Sequence, residues 1–293
     1  MSTFYPDRQT TGQFRFALVD ATQRDALPSS WTQAVMAPSF LKGDTDRCPT
    51  LVDLGSLDSS KRAEWCDALH HEALNREETR ASLLLASASS LKATAQHLAQ
   101  RLVLRGAGQS HPMQWRFFDP GTFLQMPHIL GPNGMSWLMG PVSSVAVPWA
   151  GEWTCLSRPK ADHPHDFRLA EDHIAALLRI GVINRVLAQG APPKSASHWV
   201  DQSAALDTCV RQGQERDGLR LQADLVSHAL HAQTVHPAIH THPRMRALLQ
   251  TLHSASPEDE LNYQELTCLL EPEDWRQMAA ELEQLKQQEA LPS

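Results

Sequence analysis

The sequence has no Cys-x-x-Cys pair, no long apolar run and no cluster of lysine and arginine, and each absence excludes something. The five cysteines, Cys48, Cys66, Cys155, Cys209 and Cys268, are odd in number and scattered. That fits neither a disulfide framework nor a zinc knuckle, and it predicts a reducing compartment. No apolar stretch reaches the roughly 20 residues of a membrane helix. The polar start, Met1 to Gly12, lacks the apolar centre of a signal peptide. A soluble cytoplasmic protein without membrane contact is expected. With no basic patch, nucleic acid is not an expected partner.

Signatures of common chemistry are missing too. There is no Gly-x-x-x-x-Gly-Lys-Ser/Thr phosphate loop and no Gly-x-Ser-x-Gly nucleophile elbow. Gly106-x-Gly108 lacks the third glycine of a dinucleotide fingerprint and follows a helical pattern, so it reads as a helix stop. No enzyme and no cofactor are expected.

What is present is a chain of 293 residues, 42% hydrophobic and 20% charged. This is long enough for two domains and too apolar for disorder. Its net charge of −7 is uneven. From Glu258 to Ser293 there are ten acids and two bases, a balance of −8, so the remainder sits near neutrality.

Phe14–Val19 and Thr50–Leu54 read as strands, and Ser82–Ser87 as a third short apolar run. Ser59 or Ser60 is placed to cap a helix carrying Trp65, Ala68 and Leu69 inward. Leu91, Ala95, Leu98 and Leu102 recur at helical spacing, with Gly106 and Gly108 ending that helix. Met113–Phe118 then reads as a strand, and strand-helix-strand predicts a parallel crossover. Val142–Val147 and Trp153–Leu156 are weaker strand candidates. The segment 159–166 reads as a linker. Beyond it the periods are helical: Ile174 to Leu187; Leu219, Ala223, Val226 and Leu230; Met245, Leu248, Leu249 and Leu252; and Trp275, Met278, Ala279, Leu282 and Leu285. The fold class expected is α/β, a small mixed sheet with flanking helices followed by an α-helical lobe.

Four groups of residues invite a closer reading. His228, His231, His236, His240 and His242 fall within fifteen residues. A metal needs ligands on a common face, and Pro237 and Pro243 interrupt that face. Solvated or capping roles are expected, with a metal-dependent regulator using His228–His242 as one alternative. Asp119 before Pro120 suits a capped turn. The other alternative is a hydrolase using Asp119 with a histidine of the helical lobe. Arg116 alternates with Trp115 and Phe117, which turns it away from the core toward a carboxylate. Trp115, Trp137, Trp149 and Trp153 read mostly as core, with one or two as anchors for a partner.

Taken in order, these segments resemble the effector chaperones of the bacterial type VI secretion system, the Tap/TEC adaptor family. Phe16-Ala17-Leu18-Val19-Asp20-Ala21 resembles its opening strand, and Pro49-Thr50-Leu51-Val52 its second. Ser87 to Leu102, with His97-Leu98-x-x-Arg101-Leu102, is similar to its serine-led helix. Trp115-Arg116-Phe117-Phe118-Asp119-Pro120 is similar to its arginine-aromatic motif, and Met139-Gly140-Pro141 to the aromatic-Gly-Pro that follows, with Met139 where an aromatic is usual. The resemblance covers residues 12 to 156 and continues loosely into the helices. The resemblance fits an expected α/β adaptor domain over 12–158 and a helical lobe over 166–255, and it does not reach the acidic helical tail expected over 256–293. It also implies a non-enzymatic protein that binds a secreted toxin effector in the cytoplasm and loads it onto the VgrG spike or its tip protein. Asp20, Trp115, Arg116, Phe117, Asp119, Pro120, Gly140 and Pro141 would then be structural or partner-binding residues.

Overall fold

Phe16-Ala17-Leu18-Val19 is apolar without alternation, as a strand covered on both faces must be. In the computed structural model all four are buried and form β2 (Phe16–Val19), inside a seven-stranded sheet. The structure describes residues 1–4, 11–39, 41, 45–75, 79–104, 112–161, 166–190, 193–255 and 261–289. The chain divides into two compact units, Met1–Leu177 with Lys194–Val200, and Leu178–Pro193 with Asp201–Ser293.

The first unit holds the sheet. Its other strands are β1 (Ser2–Phe4), β3 (Gln33–Val35), β4 (Thr50–Asp53), β5 (Leu83–Ser87), β8 (Val142–Trp149) and β9 (Glu152–Ser157), in the order β1-β9-β8-β5-β2-β4-β3. Every pairing in it is antiparallel. The expected parallel crossover is therefore not formed. The run from β5 to β8 contains α2 (Leu91–Arg101), α3 (Pro120–Phe123) and α4 (Met126–Met139), not one helix. Only Met113–Gln114 of the presumed strand 113–118 is extended, as β7, and it pairs with β6 (Val103–Leu104) in a separate ribbon. The hairpin β8–β9 closes through Ala150 (φ 51°) and Gly151 (φ 89°). Positive φ at both central residues gives the turn the twist that antiparallel strands need.

Helix α1 (Ser59–Asn75) carries Trp65 and Leu69 into a core with Phe14, Val52, Leu84 and Trp153, while Ala68 is only partly covered. Its first turn is capped by neither serine: the Asp58 carboxylate accepts from Lys61 N at 2.9 Å. Ser90 caps α2 by accepting from Ala93 N. That helix stops at Arg101, and Gly106 and Gly108, expected to end it, lie outside the described residues.

The second unit is helical. The division between units falls inside α5 (Glu171–Gln189) and α6 (Ala196–Glu215); α7 (Gln222–Thr234), α8 (Pro243–Ser254), α9 (Tyr263–Thr267) and α10 (Pro272–Glu289) follow. Arg179 on α5 and Asp207 on α6 form a largely buried two-bonded pair at 2.7 and 3.1 Å. The α7 face differs from the expected one. Leu225, Val226 and Ala229 are buried, and Ala223 is exposed. The α8 stripe is as read, with Met245 and Leu249 innermost. On α10, Met278 and Leu282 are buried and Leu285 is 51% exposed.

Candidate functional site

The motif residues of the first unit come together in two places. Trp115-Arg116-Phe117-Phe118 is a turn, not a strand, closed by Asp119 N to Arg116 O at 3.1 Å. The turn buries Trp115, Phe117 and Phe118 and leaves Arg116 half exposed. The Arg116 guanidinium gives Asp119 bonds of 2.8 to 3.2 Å and reaches Asp20, 96 residues earlier, at 2.6 Å. It also lies 4.9 Å from the Phe118 ring centre. Asp119 precedes Pro120 at the first turn of α3 without capping it, because its carboxylate is taken by Arg116. Burial raises the Asp20 pKa, but bonds from Thr22 and the Arg116 charge outweigh it and hold the group below the ordinary range.

The second meeting place is the end of α4. Trp137-Leu138-Met139 is its last helical turn and Gly140 its cap, at φ 52°. The α2 side chains answer the carbonyls this end leaves open: His97 Nε2 bonds Leu138 O at 3.1 Å and Arg101 Nε bonds Trp137 O at 3.2 Å. Ser87 Oγ donates to Pro141 O at 2.9 Å. A side chain at position 140 would run into the His97 ring. The His-x-x-x-Arg and Gly-Pro segments thus form one corner.

Two hollows adjoin this corner. One, of about 1000 Å³, runs between strand β3 and helix α2, lined by Ala34, Val35, Leu91, Ala99, Trp137 and Leu169 among others. β3 is the last strand of the sheet, and Val35 is 41% exposed. Bonds from Met36 N to Pro49 O and from Asp53 N to Thr32 O set the ladder's phase. The backbone groups of Gln33 and Val35 therefore point out from the sheet edge, and among the described residues no strand pairs there. The Gln33 side-chain oxygen is sealed from solvent without a partner. The other hollow, of about 750 Å³, is lined by Arg101, Arg158, Lys160 and Arg168 with Gly140 and Pro141, and shares Trp137 and Arg168 with the first.

In the second unit the five histidines of the run are all bonded rather than simply solvated, and the expected capping role is met at His242, whose side chain accepts from Arg244 N at the start of α8. His236 bonds Glu283 at 3.1 Å and His242 bonds Glu281 at 2.9 Å, while Arg244 reaches Asp274 at 2.6 Å. Three of the tail's acids, Asp274, Glu281 and Glu283, thus tie α10 to this unit. His228, His231 and His240 gather around Tyr263. His231 Nδ1 meets the Tyr263 hydroxyl at 2.9 Å. His228 Nε2 bonds Asp217 at 3.0 Å and its Nδ1 lies 3.7 Å from Cys209 Sγ. Burial is the main force holding His231 down to about 4 and His240 down to about 3, and it pushes the Cys209 thiol up to about 11. Burial also raises the Asp217 pKa, but bonds from Arg216 and His228 hold it well below the usual carboxylate range. Cys209 and Asp217 were not singled out from sequence. Neither lies in the histidine run, and no spacing rule links a cysteine on α6 to a histidine on α7.

Compared with protein-family models, with curated proteins and with solved structures, the chain matches none. Among the described residues no helix is long and apolar enough to cross a membrane.

Proposed function

We propose that this chain is a cytoplasmic adaptor of type VI secretion, which holds a toxin effector and delivers it to the VgrG spike or its tip protein. The motif resemblance supports the class, and the free edge of β3 beside an apolar groove carries the reading. An exposed strand edge offers unpaired N–H and C=O groups, and an extended peptide can add itself there as a further strand. The groove supplies apolar contacts for alternate side chains, and the cations of the adjoining hollow suit an acid near one end of that segment.

The experiment is co-expression of the chain with type VI secretion spike and toxin proteins from the same genome. The toxin is expected to co-purify and to survive a wash at about 0.5 M salt, where exposed ion pairs are screened within a few ångströms. Val35→Pro removes an outward N–H without touching the β3–β4 bonds, and edge strands tolerate proline. It is expected to cut capture at least tenfold while the chain stays folded. A chain that captures neither protein contradicts the adaptor reading, and full capture by Val35→Pro contradicts the site.

A further inference from the structure

The Cys209–His228–His240 cluster has the arrangement of a metal site. Its ligand atoms lie within 4.8 Å of one another. The separation of Cys209 Sγ and His228 Nδ1, 3.7 Å, is close to the roughly 3.5 Å spanned by a sulfur at ~2.3 Å and a nitrogen at ~2.05 Å on one tetrahedral ion. The outer nitrogens are fixed as metal-binding histidines require, by a carboxylate or a backbone carbonyl on the far side of the ring. His228 Nε2 is held by Asp217, and His240 Nε2 donates to His228 O at 2.8 Å. That bond leaves His240 Nδ1 as a lone pair, and this atom is buried with no partner in a residue only 4% exposed. A sealed, unmatched acceptor beside a second imidazole is what a cation would satisfy.

Gly213, one helical turn after Cys209 on α6, packs close against His228, and a methyl group there would come within 3.2 Å of Nδ1, so a glycine keeps any side chain off this edge of the ring. The two imidazoles stack, with centres 3.4 Å apart and planes 7° apart. Their lone pairs run side by side, so one ring must tilt about its outer hydrogen bond for both to meet an ion.

We propose that Cys209, His228 and His240 bind a zinc-class divalent ion, with Asp217 orienting His228 and one tetrahedral position left for water. On binding, the thiol gives its proton to solvent and its sulfur bonds the ion, so uptake strengthens as pH rises. The ion would tie α6, α7 and the turn Ile239–Thr241 together.

The test uses untagged full-length protein, stripped with chelator and titrated with Co²⁺ and then Zn²⁺. A thiolate-to-cobalt charge-transfer band saturating at one ion per chain is expected, displaced by Zn²⁺. Zinc should also raise the melting temperature by about 5 °C. Cys209→Ala should abolish the band, and Asp217→Asn should weaken binding about tenfold. If Cys209→Ala does not fold, His240→Gln is the second variant, and it should lose the tetrahedral cobalt spectrum. The absence of a charge-transfer band in the wild type, or its persistence in Cys209→Ala, would overturn the proposal.

Discussion

The Asp20–Arg116–Asp119 node and the Asp217–His228 centre both use a carboxylate to fix a nitrogen base, but in different media. Arg116 is half exposed, and water competes for each of its bonds. His228 is fully buried, and Asp217 nearly so. A bond of similar length is worth little in the first setting, whereas breaking one in the second leaves a charge stranded. The motif segment of the first unit thus takes its shape from apolar packing and backbone geometry, with the Arg116 guanidinium at the surface. The helical unit keeps a polar group of side chains inside its core.

Four measurements sharpen or break that contrast. Gly140→Ala should be the most damaging change, about 4 kcal/mol, because it combines backbone strain at φ 52° with a clash against His97. Equilibrium urea unfolding reads it, and a loss under 1 kcal/mol would mean that the corner can rearrange. Asp217→Ala should cost about 2–3 kcal/mol by the same assay, since it leaves the buried His228 Nε2 without its partner, while Arg216 is exposed enough to turn to water.

The third measurement is stability against pH in the presence of chelator. His231 and His240 are held at about 4 and about 3, below the value near 6.5 of an unfolded chain. The unfolded state therefore takes up protons first as pH falls. The stability these two groups carry is intact above pH 6.5 and drains away below it, by about 3 kcal/mol for the pair between pH 6.5 and 5. His231→Gln should halve that slope, and a flat profile would show that the centre opens to water. Asp20→Ala should have the smallest effect, about 1 kcal/mol, for one helix-type cap and one half-exposed ion pair. A loss as large as that of Asp217→Ala would erase the contrast.

How much was legible in the sequence follows from the range of each interaction. β2, β4, β8 and α2 declare themselves within a few residues, by apolar runs and periods, and they form where expected. The segment Trp115–Phe118 misleads because alternating aromatics suit a strand or a tight turn equally. Which forms is decided by contacts made elsewhere: the indole of Trp115 donates to Arg101 O at the end of α2. The parallel crossover misleads for a related reason, since the direction of β8 depends on how many helices intervene. Asp20 and Asp119 were marked by sequence, but their joint hold on Arg116 spans 96 residues. The histidine run was visible, while its partners Cys209, Asp217, Glu281 and Glu283 come from three other segments. Contacts between distant segments make these pairings, and local periodicity does not carry them.

The central claim is that a partner segment adds itself to the outer edge of β3. Amide hydrogen exchange at Gln33 and Val35 reads that edge directly, in the chain alone and in its co-purified complex with the toxin. Both amides face away from β4 and should exchange fast in the free chain. In the complex they should slow at least tenfold, while Ala34, already bonded within the sheet, changes little. A complex that forms with Gln33 and Val35 exchanging as in the free chain would contradict the account.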